Sequence, residues 1–265
     1  MKVLFCGDIF GRPGRQALFT WLPALRERYE PDFVLANAEN AAGGAGLTPE
    51  VAEELFDHGL DGMTLGNHTW AKRELVAYLR HERRVLRPFN LPGEPPGAGS
   101  VVLESSCGQQ LGLISLHGRV FFPTHPGDPF RAGRAEARRL RAAGVAPVIV
   151  DFHAEATSEK YALGWHLAGE VSAVLGTHTH VQTADERILP GGTAYITDLG
   201  MTGPIDSVIG VKVELALERF LSQLPVRFAP AGGPAQVSGV ALEIEPGTGA
   251  ALHIERFIVA GPPPA

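Results

Sequence analysis

Apolar residues in this chain gather into short unbroken runs, separated by stretches where they recur every three or four positions. Val3 to Gly7 is the first run, apolar and closed by a turn residue, and it predicts a buried strand. Pro13 then stands where a first helical turn begins, and Ala17, Leu18, Trp21, Leu22 and Leu25 mark one apolar helical face. Phe33 to Ala36 predicts a second strand, followed by a glycine-rich loop from Asn40 to Gly46. Thr48 caps the next helix, with Pro49 at its first position and Val51, Ala52 and Leu55 inside. Met63 to Leu65 is a third strand, ended by Gly66. This alternation of strand and helix implies an α/β class with a parallel sheet flanked by helices.

Further along, Val101–Leu103 and Leu111–Leu116 alternate in the manner of antiparallel strands. A charged helix is expected from about Pro129 to Ala143, then strands at Pro147–Phe152, Val171–Leu175, Val240–Ile244 and Leu252–Val259. The Pro/Gly stretch Pro88–Gly99 reads as a surface excursion, the edge of a small cap around 88–125. The tail Gly261–Ala265 is expected to fray. No internal repeat is visible, so residues 1–265 are read as one domain.

A 265-residue chain with 45% hydrophobic residues can bury a core without disulfide or metal staples. A metal site here is therefore expected to be catalytic rather than structural. The net charge of -6 argues against duplex DNA as a partner, because phosphate neutralisation dominates that affinity. It leaves room for a small anionic substrate, since a local metal cluster outweighs a weakly acidic surface. Two cysteines, Cys6 and Cys107, form no framework and suit a reducing compartment. No signal peptide is recognisable, and no apolar run approaches the ~18 residues of a membrane span. A soluble, cytoplasmic protein is expected.

Five segments carry the chemistry, each at the end of an expected strand. They are Gly7-Asp8, Asn37-Ala38-Glu39-Asn40, Gly66-Asn67-His68, Asp151-Phe152-His153 and Gly176-Thr177-His178-Thr179-His180. Ligands collect at the carboxyl ends of strands in open α/β sheets, so these side chains are expected to meet. Imidazole with carboxylate suits Mn, Fe, Zn or Co, whereas an all-oxygen set favours Mg or Ca. Either Glu39 or Asp8 has the two oxygens needed to bridge a pair of ions. His178 and His180, two apart, project to the same side if the backbone there stays extended.

Gly66-Asn67-His68 and Gly176-Thr177-His178-Thr179-His180 resemble signatures of the calcineurin-like metallophosphoesterases. Gly7-Asp8-Ile9-Phe10-Gly11, Asn37 to Ala42, Asp151 to Glu159, His178 to Asp185 and Thr197 to Gly203 resemble the bacterial YmdB-type branch, nearly end to end. The resemblance implies a four-layer α/β/β/α sandwich with a dinuclear centre of Fe or Mn, or of Zn. It implies that Asp8, Glu39, Asn40 and His180 hold one ion. Glu39 then bridges to a second ion held by Asn67, His153 and His178, and His68 stands by as catalytic acid. Phe10 stands where the broad superfamily has a histidine ligand, and Glu39 replaces its usual aspartate. Asn40 is read as filling the place Phe10 leaves.

The activity so implied is phosphodiester hydrolysis, with 2',3'-cyclic or 3',5'-cyclic nucleotides as substrates. Water activated by the metals attacks phosphorus while His68 protonates the leaving alkoxide. Lowering the pKa of water from ~15.7 to roughly 7 is worth on the order of 12 kcal/mol, against roughly 3–5 kcal/mol for general acid help. Two dications, Asp8, Glu39 and a hydroxide leave one positive charge, which a phosphodiester neutralises. Two alternatives use the same residues: an amide hydrolase, which also employs HxH, and a metal-dependent regulatory or RNA-associated protein with weak catalysis. A homo-oligomer is compatible with the sequence, and no substrate-binding residues are singled out.

The remaining features have plainer readings. Asp151 either orients His153 or simply binds backbone at a strand end. His58, His81, His166 and His253 read as surface or structural, while the loop bearing His117 and His125 is placed to approach the site. Arg131 to Arg141 is a solvated helix face with RNA as the other option, and Gly43–Gly46 allows a turn or cradles phosphate. Cys6 is expected to be buried and inert. There is no P-loop, GxGxxG or GxSxG motif.

Overall fold

The computed structural model describes residues 1–263, so Pro264 and Ala265 of the expected frayed tail lie outside the described residues. The chain opens with β1 (Lys2–Cys6), β2 (Asp8–Ile9), α1 (Gly11–Tyr29), β3 (Phe33–Asn37), α2 (Pro49–Asp57), β4 (Gly62–Thr64), α3 (Leu75–Tyr78) and β5 (Val85–Leu86). Its middle holds β6 (Ser100–Glu104), β7 (Gln110–His117), α4 (Pro129–Ala142), β8 (Val148–His153), α5 (Thr157–Leu167) and β9 (Ala173–Thr177). It closes with β10 (Arg187–Leu189), β11 (Thr193–Ile196), β12 (Met201–Pro204), α6 (Val213–Ser222), β13 (Ala235–Ile244) and β14 (Ala251–Ala260).

Two sheets result. The first runs β2-β12-β13-β1-β3-β4-β5, with β14 also paired to β13. The second runs β10-β11-β9-β8-β7-β6. Strands β1, β3, β4 and β5 are mutually parallel, as are β7, β8, β9 and β11. The expected antiparallel pairing of Val101–Leu103 with Leu111–Leu116 is present as β6 with β7, and it makes this part of the 88–125 stretch an edge of the second sheet.

The unbroken apolar runs have a direct cause: each central strand is buried on both faces. Leu4 and Cys6 of β1, with Val34 and Ala36 of β3, pack under α1 on Leu18, Leu22 and Leu25. Their alternates Val3, Phe5, Phe33 and Leu35 face the second sheet and meet Leu113, Ile149 and Leu175. The opposite face of that sheet, through Ile114, Val150 and Val174, packs on Leu140 of α4 and Leu163 of α5. Helix, sheet, sheet and helix therefore stack as four layers, the α/β/β/α sandwich expected.

Local signals held where packing and propensity agree. Thr48 Oγ1 accepts the Val51 amide at 3.3 Å and caps α2, with Pro49 at its start. The apolar face expected of α1 is its buried face. Helix α5 carries no such stripe, because its buried side includes Glu159 and Lys160 beside Leu163 and Leu167. Cys6 is buried under α1, its thiol pushed up to about 12 by that burial, and it faces away from the strand-end polar residues. Among the described residues no helix is long and apolar enough to cross a membrane.

Gly176 shows how tightly the strand ends are stitched. A Cβ there would lie 1.7 Å from the carbonyl oxygen of Thr197, whose chain returns to donate the Leu199 amide to Gly176. Gly232 has nothing within 4 Å of the same position. Gly176→Ala is therefore expected to cost about 3 kcal/mol or more in chemical denaturation, and Gly232→Ala less than about 0.5 kcal/mol. Equal effects would contradict this packing.

Candidate metal centre

Strand alternation decides which polar side chains enter the gap between the sheets. The inter-sheet rows Phe33-Leu35-Asn37, Ile149-Asp151-His153 and Ala173-Leu175-Thr177 are apolar at their starts and polar at their carboxyl ends. Strand β2 adds Asp8, and the loops that follow β3, β4 and β9 add Glu39, Asn40, Asn67, His68, His178 and His180. All seven residues expected to hold metal, and His68 beside them, come together here.

His153 Nε2 is the densest point. Asn67 Oδ1 lies 2.9 Å away, His178 Nδ1 3.0 Å and Glu39 Oε1 3.1 Å. Its other nitrogen, Nδ1, sits 2.9 Å from Thr177 Oγ1, whose hydroxyl donates to Asp151 Oδ1 at 2.7 Å. Thr177 has thus given its own proton away and accepts the one on Nδ1, so Nε2 is the nitrogen turned to the cluster. One imidazole nitrogen cannot satisfy three acceptors, whereas a cation can. Ligand atoms at ~2.0–2.2 Å from a common ion stand roughly 3 Å from each other, as these do. Glu39, His153 and His178 offer ligand atoms all within 4.8 Å of one another.

The second cluster adjoins the first. Asp8 is fully buried; its Oδ2 accepts the His178 amide at 3.2 Å, while its Oδ1 has no hydrogen-bond partner. His180 Nε2 stands 3.6 Å from that orphaned oxygen and 3.2 Å from Asn40 Nδ2. A buried carboxylate oxygen without a donor costs stability unless a charge or cation meets it. The donor set and this orphan together fit divalent metal.

The electrostatics agree. Burial opposes ionisation of both carboxylates, yet the imidazoles of His180 and His153 hold Asp8 below its ordinary range, and those of His153 and His68 hold Glu39 well below it. Burial likewise opposes charge on His180, but Asp8 raises it to about 9. His178 goes the other way, to about 3, pushed down by burial and then by His153, so it stays neutral with one nitrogen free to bind, while its Nε2 stands 2.9 Å from Glu155. The field that draws protons to one imidazole draws a cation to the group.

His178 and His180 do not converge by strand alternation as expected. Strand β9 ends at Thr177, and the two histidines take φ of 101° and 66°, unusual for non-glycine residues. The Thr179 amide and hydroxyl, at 3.0 and 2.7 Å from Asp198 Oδ2, pin the turn between them, and buried Lys160 donates to the same oxygen at 2.7 Å. Gly66 is bare for a similar reason: a Cβ would fall 2.2 Å from His153 and 2.5 Å from Glu39.

Asp151 binds side chains rather than backbone. It accepts from Asn37, Thr64 and Thr177, one carboxylate tying both sheets together, and orients His153 through Thr177. Burial raises its pKa to about 6. Lys160, Asp198, Thr64 and Thr177 escaped the sequence reading; the legible trace was a polar residue closing an apolar strand. His58 stacks on Phe19, and Arg138 and Arg139 pair with Glu170 and Glu136.

Two cavities flank the cluster. One, of about 340 Å³, has Glu39, Asn40, His68, His178 and His180 at one end. The other, about 190 Å³, reaches Asn67 instead of His68 and is lined by Trp70, His117 and His125, so the His117 loop does approach the site.

A family model described as YmdB-like protein matches residues 4–257. The chain is 47% identical to a 2',3'-cyclic-nucleotide 2'-phosphodiesterase of Bacillus subtilis, over 98% of this chain and 97% of that one. A solved structure described as a novel phosphatase from Mycoplasma pneumoniae superposes with TM-score 0.91 at 35% identity, covering 98% of this chain and 93% of the other. The calcineurin-like phosphoesterase YfkN of Bacillus subtilis, 12% identical, shares the fold at TM-score 0.61 over 98% of this chain and 90% of its own. With two sheets layered between helices and a strand-end cluster rich in imidazole and carboxylate, the chain belongs to the YmdB-like family.

Proposed function

We propose that this protein is a dinuclear metal-dependent phosphodiesterase acting on cyclic nucleotides, 2',3'-cyclic ones first. The observation that carries the reading is the convergence of Asn67, His178 and Glu39 on His153 Nε2, beside the orphaned Asp8 oxygen. The substrate class comes from the Bacillus subtilis relative's activity. The mixed nitrogen and oxygen donors, without thiolate, suit Fe or Mn, with Zn also accommodated. Both sheets supply ligands, so the site requires the chain to act as one unit.

In this proposal Asp8, Glu39, Asn40 and His180 would hold one ion, and Glu39, Asn67, His153 and His178 would hold the second. Such ions supply Lewis-acid polarisation of a phosphoryl oxygen and of water. The chain's own groups do the rest. Asp151 and Thr177 fix the proton of His153 on Nδ1, so that Nε2 faces inward. Asn40 Oδ1 stands 2.8 Å from His68 Nδ1, and Asn40 Nδ2 lies 3.2 Å from His180 Nε2. His68 Nδ1–H donates to that oxygen, which leaves Nε2 to carry the proton that general acid help needs. His68 is 40% exposed at the side chain and lines the larger cavity, where that proton can pass to a leaving alkoxide. The amidohydrolase fold places HxH on an early barrel strand, whereas this chain has a two-sheet sandwich with a late HxH, which disfavours amide hydrolysis.

Three outcomes are expected. Turnover of bis-p-nitrophenyl phosphate vanishes on chelation and returns with Mn or Fe; no phosphodiester turnover with two ions bound contradicts the proposal. His68→Ala keeps two metal equivalents by elemental analysis while kcat falls about 10²–10⁴-fold, and unchanged turnover would remove its role. Glu39→Ala holds fewer than two equivalents, and retention of both would refute the bridge.

A further inference from the structure

We propose that the apolar half of the 340 Å³ cavity seats the nucleobase of the cyclic nucleotide, gripping its faces without reading its edge. This rests on the phosphodiesterase reading above and adds the means of substrate recognition. In a nucleoside cyclic phosphate the leaving oxygen belongs to the ribose, so proton delivery from His68 brings the ribose into the cavity that His68 lines. The base, fixed to the same sugar, extends away from the metal ligands.

The apolar part of the cavity lining suits such a group. Phe10, Ile209, Val211, Phe228 and Pro230 form it, beside Gly43 and Gly44. Gly44 has φ of 88°, and a Cβ on it would come within 3.0 Å of the Phe10 ring, so this wall stays flat. Phe228 leaves half of its surface in water at the rim, apolar area that a stacked base would cover. The volume falls within the range of small-molecule sites.

None of these five side chains carries a hydrogen-bond donor or acceptor. Part of the nearby backbone is committed as well: Ile209 O to His180 Nδ1, Gly210 O to the Ala231 amide, and Ala229 O to the Lys212 amide. Val208 and Val211 bond each other in both directions. Sites that hydrogen-bond a substrate edge discriminate by about 10⁴–10⁵, whereas apolar pockets reach only about 10–200-fold. The structure therefore assigns this enzyme a broad tolerance among bases. Phe122, 4.9 Å from the His178 ring, and Trp70 are further aromatics near the site, but neither lines this cavity, and the one that Trp70 lines lacks His68.

The test compares kcat/KM of the metal-loaded protein on the four 2',3'-cyclic nucleotides and on a base-free analogue, methyl riboside 2',3'-cyclic phosphate. The four nucleotides are expected within about 100-fold of each other, each at least about tenfold better than the analogue. Phe228→Ala should lose about tenfold or more on the nucleotides and nothing on the analogue, while Trp70→Ala leaves the ratio intact. Binding of a nucleoside monophosphate product, compared with ribose phosphate, should shift in the same way. The inference is overturned by an analogue as good as the nucleotides, or by a preference above about 10³-fold for one base. It also falls if Phe228→Ala lowers every substrate equally, or if Trp70→Ala abolishes the ratio. If bis-p-nitrophenyl phosphate is hydrolysed but neither the nucleotides nor the analogue, the cyclic-nucleotide reading itself has failed; if the analogue is turned over, the phosphodiesterase reading stands and only the base subsite is judged.

Discussion

Two buried carboxylates, Asp8 and Glu39, face four imidazoles at the strand ends between the sheets. Burial penalises every charged form in this group, and the histidine protons cannot satisfy all of its oxygens at once. A pair of cations resolves both problems together. The surrounding structure is arranged around that constraint. Asp151 ties Asn37, Thr64 and Thr177 across the sheets, Lys160 and Asp198 pin the turn between His178 and His180, and bare Gly66 lets His153 and Glu39 close up. None of these groups needs to touch substrate to matter for its chemistry, because ligand direction is set by what stands behind each ligand.

The division of labour follows from the layers. The apolar contacts that hold sheet against sheet stop at the carboxyl ends of the strands, where the same alternating positions turn polar. Core and site are therefore consecutive parts of one interface. A substitution that shifts the sheets, as at Gly176, acts on both.

Much of this was legible in the chain. Apolar runs closed by Asp, Asn, Glu or His marked the central strands and the polar residues gathered at their ends, and the motif resemblance gave the sandwich and the family. Other parts were written in a form that sequence patterns do not expose. Helix α5 buries Glu159 and Lys160, so its periodicity is hidden. The convergence of His178 and His180 depends on left-handed backbone and on Asp198, some twenty residues later, which no local spacing rule anticipates. Asp151 could be read as orienting His153 or as binding backbone; it works through Thr177, a contact between neighbouring strands that only register reveals. The apolar wall at Phe228 comes from a segment whose place beside His68 is purely tertiary.

The central claim, that these side chains grip two cations, is tested most directly by anomalous diffraction from Mn- or Fe-loaded crystals of the whole protein. The account predicts two peaks about 3.5–4 Å apart, one among Glu39, Asn67, His153 and His178, the other among Asp8, Glu39, Asn40 and His180. A single peak, or metal bound away from Glu39 and His153, would contradict it.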